Sequence, residues 1–181
     1  MFYVSDIFTE APQTFHTPLQ ENVYRTLERL KIPFERVETD EAISMEDCVL
    51  IEEKLQMKMV KTLFLCSRRK SAFYLFVTTG DKPFRSKDFS AGLGVSRVSF
   101  APAEIMPEKL GTKIGAATVF SALLDTAKDV QFVFDQDVLQ ETWYGCSDGT
   151  TTGYLKIKTD DIINIFLPYA GKGFTVLTHQ A

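Results

Sequence analysis

A lysine stands inside an apolar run at positions 59–66, where the sequence reads MVKTLFLC. Runs of this length that are rich in Val, Leu and Phe favour a strand with buried side chains. An unpaired ammonium group is costly to bury. Lys61 therefore either reaches solvent from the end of the strand or faces a pocket whose ligand supplies negative charge. The second alternative would give Lys61 a role in binding or catalysis.

The cysteines and histidines offer little support for nucleophilic or metal chemistry. Cys48, Cys66 and Cys146 are far apart and form no CxxC pair, which argues against a zinc site and against a disulfide framework. His16 and His179 lie near the termini, so neither is a convincing base for a cysteine nucleophile. We interpret Cys146 as a loop cysteine that fills space.

Basic residues concentrate in one segment of an acidic chain. The net charge is −4, yet positions 58–88 contain eight basic and two acidic side chains. The basic residues are Lys58, Lys61, Arg68, Arg69, Lys70, Lys82, Arg85 and Lys87. Such a local positive electrostatic potential favours binding of a small anionic ligand or of one end of a nucleic acid. A solvated turn at Arg68, Arg69 and Lys70 explains part of the pattern equally well.

Length and composition indicate one ordinary globular domain. The 181 residues suffice for a sizeable core, and the 45% hydrophobic and 24% charged fractions are typical. No apolar run is long enough to cross a membrane, and the N-terminus lacks the features of a signal peptide. We expect a cytoplasmic protein without a membrane partner.

Helix and strand patterns alternate along the chain and predict a mixed α/β fold. Helices are predicted to begin at Thr17, at Ser44 with its partner Asp47, and near residues 86 and 102. A last helix, capped by Thr159, is predicted to end at Leu167. Strands are predicted at 34–37, 60–66, 72–78, 98–100, 130–135, 154–157 and 172–178.

The predicted organisation is an N-terminal arm and one domain. Residues 1–18 form the arm, loosely ordered over 1–16, and residues 19–181 form a domain with a curved mixed β-sheet surrounded by helices. The glycine-punctuated stretch 143–153 precedes a predicted strand. Within this stretch, Trp143 and Tyr144 either stack on an unpaired base or form a small core pair.

Several segments, taken in order, resemble the YbaK/prolyl-tRNA synthetase-associated editing domain family. They are LKIPF at 30–34 with Glu38, SME at 44–46, VKTLFL at 60–65, FYLFV at 73–77, LGVSRVSF at 93–100, the glycine-containing stretch 115–125, TTT at 150–152 and TDDI at 159–162. The resemblance covers about residues 19–168. It is strongest toward the free-standing prolyl-tRNA editing proteins, which remove alanine from mischarged tRNA(Pro).

The resemblance implies a trans-acting aminoacyl-tRNA deacylase that acts on Ala-tRNA(Pro). Lys61 matches the family lysine at the mouth of a small pocket, where it would hold phosphate or ester oxygens. Gly115 matches the glycine that lets the backbone approach the aminoacyl group. Water would attack the ester, oriented by the terminal ribose hydroxyl, while Lys61 and backbone amides stabilise the developing charge. Such a site needs neither a metal nor another cofactor.

The same match implies further contacts. The expected substrate-binding residues are Thr62, Thr118, Gly145, Cys146, Asp148 and Thr150, and the expected tRNA-binding residues are Lys58, Arg68, Arg69 and Lys70. The expected partner is tRNA, with prolyl-tRNA synthetase as a second candidate and no DNA.

The chain differs from the family pattern in its pocket segments. Gly145 and Cys146 stand where the family often carries His-Pro, Gly149 replaces an asparagine, and Val119 replaces a proline. These differences leave open a second function, namely a non-catalytic module that binds a tRNA acceptor end or an aminoacyl-nucleotide.

Overall fold

In the computed structural model, which describes residues 1–42 and 44–178, eight strands divide between two sheets. The strands are β1 (Glu35–Glu38), β2 (Val60–Ser67), β3 (Phe73–Thr79), β4 (Val98–Phe100), β5 (Val130–Asp135), β6 (Trp143–Ser147), β7 (Gly153–Lys158) and β8 (Phe174–Leu177). One sheet has the order β4-β2-β3-β5-β8 and the other β1-β7-β6. A single β-bridge between Met59 and Gly145 joins them.

Short helices connect and cover the two sheets. They are α1 (Pro18–Arg29), α2 (Met45–Leu55), α3 (Ser86–Leu93), α4 (Met106–Leu110), α5 (Gln136–Gln140), α6 (Thr159–Asp161) and α7 (Leu167–Tyr169). Three 3₁₀ segments (Ala103–Ile105, Val119–Leu123 and Asp125–Ala127) and a π-helical segment (Ile162–Phe166) complete the set. The predicted mixed α/β class is confirmed. No helix in the described ranges is both long and apolar enough to cross a membrane.

The first two helices begin where their capping residues predict. The Thr17 hydroxyl accepts a hydrogen bond from the backbone N–H of Gln20 at 3.0 Å. Ser44 and Asp47 form a reciprocal capping box, with distances of 3.2 and 3.1 Å. Each cap satisfies backbone donors that the first helical turn leaves free.

The predicted cap at Thr159 is wrong. The residue before it, Lys158, occupies the cap position, and Thr159 is buried in the first turn. The backbone N–H of Thr159 donates to the Thr142 carbonyl at 3.0 Å, so a contact with a distant segment fixes the helix start. The Thr159 hydroxyl has no hydrogen-bond partner within the described residues.

The N-terminal segment lies against β1. Backbone bridges pair Val4 with Thr39 and Phe8 with Arg36. The N–H of Ser5 donates to the Glu38 carbonyl at 2.9 Å. The expectation that residues 1–16 are loosely ordered is therefore wrong for the first ten residues. The division at residue 18 stays a prediction, and the predicted domain end at 181 lies outside the described residues.

The five-stranded sheet packs on both faces. Its main-core face carries Phe64, Leu75 and Val77, which pack with α1 and the three-stranded sheet. Its other face, here called the α3 face, carries Leu65 and Phe76, which pack with Phe89 of α3. Side chains alternate along a strand. Residues of β2 are therefore divided between the two faces.

Candidate active site

Lys61 lies near the start of β2 and projects to the α3 face. In the antiparallel register Lys61 pairs with Thr78, and Leu63 and Leu65 share its face. The side chain is half-buried, and its ammonium donates a hydrogen bond to the backbone carbonyl of Lys82. A loop carbonyl thus holds the ammonium at the strand end, and the expected role of Lys61 in binding or catalysis stays a prediction.

Two carboxylates fix the loop that receives Lys61. The ammonium of Lys82 lies 2.9 Å from Asp135 and 2.5 Å from Asp137. Asp135 is fully buried and also accepts a hydrogen bond from the Thr78 hydroxyl at 2.6 Å. Burial alone would lower the pKa of Lys82, but the hydrogen bonds to Asp137 and Asp135 outweigh it and raise the pKa. Lys82 therefore stays charged and holds its own carbonyl in place for Lys61.

A cleft of about 270 Å³ opens beside this cluster on the α3 face. Its walls combine charged and apolar side chains and include Thr78, Lys82, Phe84, Arg85, Asp135 and Leu177. A concave site with a few convergent polar groups is the usual form of a ligand pocket. Lys61 is linked to this cleft by its hydrogen bond to Lys82, which is one of the lining residues.

Asp135 was not predicted as a site residue, and Lys82 was predicted only as part of the basic segment. Asp135 ends a strongly apolar strand and is followed two residues later by Asp137, whose backbone N–H it accepts at 2.9 Å. Acidic residues at the end of a buried strand are a signal that could have identified them. Their pairing with Lys82 depends on the parallel alignment of β3 and β5, which the sequence alone does not reveal.

The loop around Gly115 meets the turn between β6 and β7. Gly115 has a φ of +87°, a conformation that favours glycine, and a Cβ there would lie 3.7 Å from the Thr151 side chain. The hydroxyl of Thr118 donates to the Ser147 carbonyl at 2.8 Å. The Ser147 hydroxyl donates to the Thr150 carbonyl at 2.6 Å. The structure thus brings Gly115, Thr118 and Thr150 together.

An ion pair at the surface stabilises the loop around Gly115. The Glu41 carboxylate accepts hydrogen bonds from Lys113 at 3.1 Å and from the Thr151 hydroxyl at 3.0 Å. The hydrogen bond from Lys113, followed by that from Thr151, lowers the pKa of Glu41. Glu41 therefore links both sides of the loop–turn contact at neutral pH.

Asp148 is a buried carboxylate at which several hydrogen bonds converge. Its carboxylate accepts hydrogen bonds from the Gln20 amide at 2.9 Å, the Tyr24 hydroxyl at 2.8 Å and the Thr150 hydroxyl at 2.7 Å. Burial, followed by the nearby Asp148 charge, raises the pKa of Tyr24 well above its usual value, so its hydroxyl stays a donor. These hydrogen bonds connect α1 to the turn between β6 and β7, so Asp148 stabilises the fold. Its expected contact with substrate stays a prediction.

Gly145 and Cys146 lie in β6, so the expectation of a loop cysteine is wrong. A Cβ on Gly145 would approach the Met57 sulfur to 2.1 Å and the Lys58 carbonyl to 2.7 Å. A side chain there would force the backbone of this segment to move. Cys146 is buried in the main core, and burial strongly raises the pKa of its thiol. A protonated, enclosed thiol is a poor nucleophile.

Trp143 and Tyr144 face opposite sides of β6. Tyr144 is fully buried and cannot meet a base. Trp143 is 38% exposed, and the Lys156 ammonium lies 4.4 Å from its ring centroid. The core interpretation is therefore confirmed for Tyr144, whereas Trp143 makes a cation–π contact.

The remaining predicted residues are spread along β2. Thr62 pairs with Val77 and faces the main core, on the side of the sheet opposite Lys61. Lys58 is exposed just before β2. Arg68, Arg69 and Lys70 are exposed in the turn after it. At about 3.3 Å per residue, this turn lies roughly 23 Å from Lys61.

The predicted site residues thus form two groups. Lys61 joins Lys82 and the cleft on the α3 face, whereas Gly115, Thr118 and the residues of the β6–β7 turn lie on the main-core side. The described residues contain no group of three or more His, Cys, Asp or Glu side chains suited to a metal ion. His179 lies outside the described residues.

Comparison with known proteins links this geometry to one family. A family model described as the aminoacyl-tRNA editing domain matches residues 40–165. The matched range contains Lys61, Gly115 and Asp135. It covers well over half of the chain.

Curated relatives and a solved structure agree with this match. The prolyl-tRNA editing protein ProX of Acetoanaerobium sticklandii is 24% identical over 146 residues, which cover 81% of this chain and 89% of the relative. Prolyl-tRNA synthetase associated domain-containing protein 1 of Mus musculus is 31% identical over 124 residues, or 67% of this chain and 73% of the relative. A structure described as a candidate trans-editing enzyme for prolyl tRNA synthetase shares the fold, with a TM-score of 0.64 and 16% identity over 92% of this chain and 100% of that chain.

Proposed function

Because the chain belongs to the aminoacyl-tRNA editing domain family, we propose that it hydrolyses mischarged tRNA(Pro) in trans, with Ala-tRNA(Pro) as its substrate. Family membership makes the chain an aminoacyl-tRNA deacylase by class. The relative named as a prolyl-tRNA editing protein supports the choice of tRNA. The observation that carries the proposal is Lys61, which lies within the matched residues and whose half-buried ammonium is bonded to Lys82, a residue that lines the cleft.

The reaction adds water to the ester carbonyl and breaks its bond to the ribose oxygen. The products are free alanine and a tRNA with its terminal hydroxyl restored, and the proton from water ends on that hydroxyl. Lys61 donates to the phosphate or to the developing oxyanion after leaving the Lys82 carbonyl. A preorganised donor of this kind stabilises charge that appears only in the transition state.

Within the described residues no histidine contacts Lys61 as a base for the attacking water. We therefore assign the orientation of the water to the substrate itself. The terminal ribose hydroxyl is the proposed group. The backbone of the Gly115 loop lies close to the aminoacyl group because glycine leaves room there. Thr118, Cys146, Asp148 and Thr150 are buried on the main-core side, which Thr62 also faces. Their expected contacts with the substrate, and that of Gly145, therefore stay predictions.

Editing of alanine has a physical rationale. A synthetase pocket shaped for proline cannot exclude the smaller alanine by a large factor, since the difference of a few methylene groups is worth little binding energy. A second site that admits alanine and excludes proline corrects the error. We place this reaction in the cytoplasm, with charged tRNA as the partner and prolyl-tRNA synthetase as the enzyme that supplies it.

A panel of charged tRNAs tests the proposal. Purified protein is incubated with Ala-tRNA(Pro), Pro-tRNA(Pro), and Ser- and Cys-charged tRNAs, and the remaining ester is measured over time. We expect Ala-tRNA(Pro) to be hydrolysed and Pro-tRNA(Pro) to be spared. A Lys61→Ala preparation controls for contaminating hydrolases. If every ester survives as long as in buffer, the proposal is wrong.

One observation favours a second candidate function, a non-catalytic module. Gly145 occupies a position at which the family often carries histidine, and its packing against Met57 leaves no room for a side chain. The neighbouring Cys146 keeps its proton. This candidate predicts tight binding of a non-hydrolysable aminoacyl-adenosine analogue without turnover of any ester. Rapid deacylation in the panel would eliminate it.

A further inference from the structure

Two phenylalanines lie side by side on the α3 face. Phe100 ends the edge strand β4 and is 60% exposed. Phe84 lies in the loop before α3 and is partly buried. Their ring centroids are 5.4 Å apart. Exposed aromatic side chains are a feature of binding surfaces, because the removal of their apolar rings from water by a partner is favourable.

Buried neighbours hold the pair rigidly. The Phe84 ring lies 6.2 Å from the rings of both Phe76 and Phe89, which are buried. Phe100 stands opposite Leu65 in the antiparallel register of β2 and β4. Both rings are thus positioned by the core beneath them. A preorganised surface loses little conformational freedom when it binds a ligand.

The charge around the pair favours an anionic partner. Residues 82–100 contain four basic side chains and one acidic side chain, although the whole chain carries a net charge of −4. Arg85 and Arg97 are exposed. Lys82, whose carbonyl receives Lys61, lies two positions before Phe84. Phe84 and Lys82 therefore line the same cleft, and Lys82 is the residue that accepts the Lys61 hydrogen bond.

We propose that Phe84 and Phe100 form a stacking platform for the unpaired nucleotides at the 3′ end of tRNA, with Arg85 and Arg97 near the phosphates. Exposed aromatic rings combined with basic side chains are the common means of binding single-stranded nucleic acid. The inference rests on the proposed function and assigns to this surface a base contact that the buried Tyr144 cannot provide.

The test compares two RNA minihelices that copy a tRNA acceptor stem. One ends in the unpaired CCA tail and the other is blunt. Fluorescence anisotropy at one fixed salt concentration gives the dissociation constant of each. We expect the wild type to bind the tailed RNA more tightly. Phe100→Ala should weaken binding of the tailed RNA by about 5- to 150-fold, which corresponds to the loss of one stacked base, and should leave the blunt RNA unaffected.

Three further variants distinguish aromatic stacking from a general loss of apolar surface. Phe100→Trp should keep the affinity for the tailed RNA, whereas Phe100→Leu should lose it as Phe100→Ala does, since leucine has no aromatic face. Tyr3→Ala removes an aromatic residue of similar exposure outside the platform and should change neither affinity. The large exposure of Phe100 means that these substitutions leave the core intact.

Several results would overturn the inference. These are full affinity in Phe100→Leu, an equal loss for tailed and blunt RNA, or unchanged RNA binding together with weaker association with prolyl-tRNA synthetase. Deacylation of Ala-tRNA(Pro) is measured on the same preparations. If the wild type hydrolyses this ester and Phe100→Ala binds the tailed RNA normally, the platform alone is wrong. If the wild type neither binds tailed RNA nor hydrolyses any ester, the proposed function fails as well.

Discussion

The ammonium of Lys61 is hydrogen-bonded to the backbone carbonyl of Lys82, a residue 21 positions later in the chain. A carbonyl orients the ammonium without neutralising it, so the positive charge remains available to an anionic ligand. The side chain of Lys82 is in turn held by Asp135 and Asp137. The direction of the candidate catalytic lysine therefore depends on an ion-pair cluster in the next loop.

Lys61→Ala should abolish most deacylation of Ala-tRNA(Pro) while the protein stays folded. Loss of one preorganised donor to a developing oxyanion typically lowers the rate by ~10²–10³. Lys61→Arg should also be impaired, because a planar guanidinium does not replace a compact ammonium in a confined position. Single-turnover deacylation and thermal unfolding measure the two effects. Lys54→Ala, which removes an exposed lysine of α2 outside the proposed sites, serves as the matched control. Near-normal activity in Lys61→Ala would make Lys61 a structural residue only.

The Lys82 ion pairs predict a specific pH dependence of stability. The pKa of Lys82 is raised in the folded protein, so its stabilising contribution is complete below the unfolded value of 10.5 and is lost as the pH rises through the folded value. The free energy of unfolding should therefore fall more steeply at alkaline pH in the wild type than in Lys82→Met. Urea unfolding at several pH values measures both curves. Parallel curves would contradict the charge cluster.

Asp148→Ala should destabilise the protein strongly. The substitution leaves the buried Tyr24 hydroxyl and the Gln20 amide without their acceptor, and each unsatisfied buried group costs about 1–3 kcal/mol. We expect a loss of roughly 3 kcal/mol or more in the free energy of unfolding, measured with urea. Asp160→Ala removes an exposed carboxylate and should change stability by less than about 0.5 kcal/mol. Similar values for both variants would disprove the stabilising role of Asp148.

Cys146→Ala should retain deacylase activity. The thiol is buried in the main core with a strongly raised pKa, so it cannot act as a nucleophile at neutral pH. Removal of one buried heavy atom should cost about 1 kcal/mol of stability. Activity is compared with the wild type at a temperature at which both are folded. A folded but inactive Cys146→Ala would assign a chemical role to the thiol.

Neutralising Arg68, Arg69 and Lys70 together should weaken binding similarly for all tRNAs. These side chains lie at the far end of β2 from Lys61, where only phosphates away from the terminal nucleotide are within reach. Each lost phosphate contact should reduce the slope of log affinity against log salt by about one. The slope is measured by titrations at several salt concentrations. If it does not change, the turn contributes to solubility rather than to tRNA binding.

Local signals explain which parts of the fold could be predicted. The caps at Thr17 and Ser44 and the apolar runs of β2, β3 and β5 act within a few neighbouring residues, and these elements lie where the sequence places them. Strand β6 was missed because Gly145 and Ser147 break its apolar pattern. Its identity comes from packing against Met57 and from pairing with β7, which are contacts between distant segments.

The site was predicted less completely for the same reason. Lys61 was identified because a charge in an apolar run is visible in the sequence. Its contact with Lys82 and the buried carboxylate of Asp135 arise from the alignment of three strands in one sheet. Lys61 and Thr62 lie on opposite faces of the sheet because side chains alternate along a strand. The cleft lies on the Lys61 side because α3 and the loop before it pack there, and this packing could not be predicted from the sequence.

The pairing of the first ten residues with β1 limits how this part of the chain can evolve. The bonds are made by backbone groups, with the N–H of Ser5 donating to Glu38 and that of Phe8 donating to Arg36. Proline is excluded at both positions because it has no N–H. The side chains contribute as well, since the Ser5 hydroxyl accepts from the Glu38 N–H at 2.8 Å and Arg36 lies 4.6 Å from the Phe8 ring centroid. A strand edge that loses this cover becomes a template for other chains, so the first cost of such a change is aggregation rather than lost catalysis.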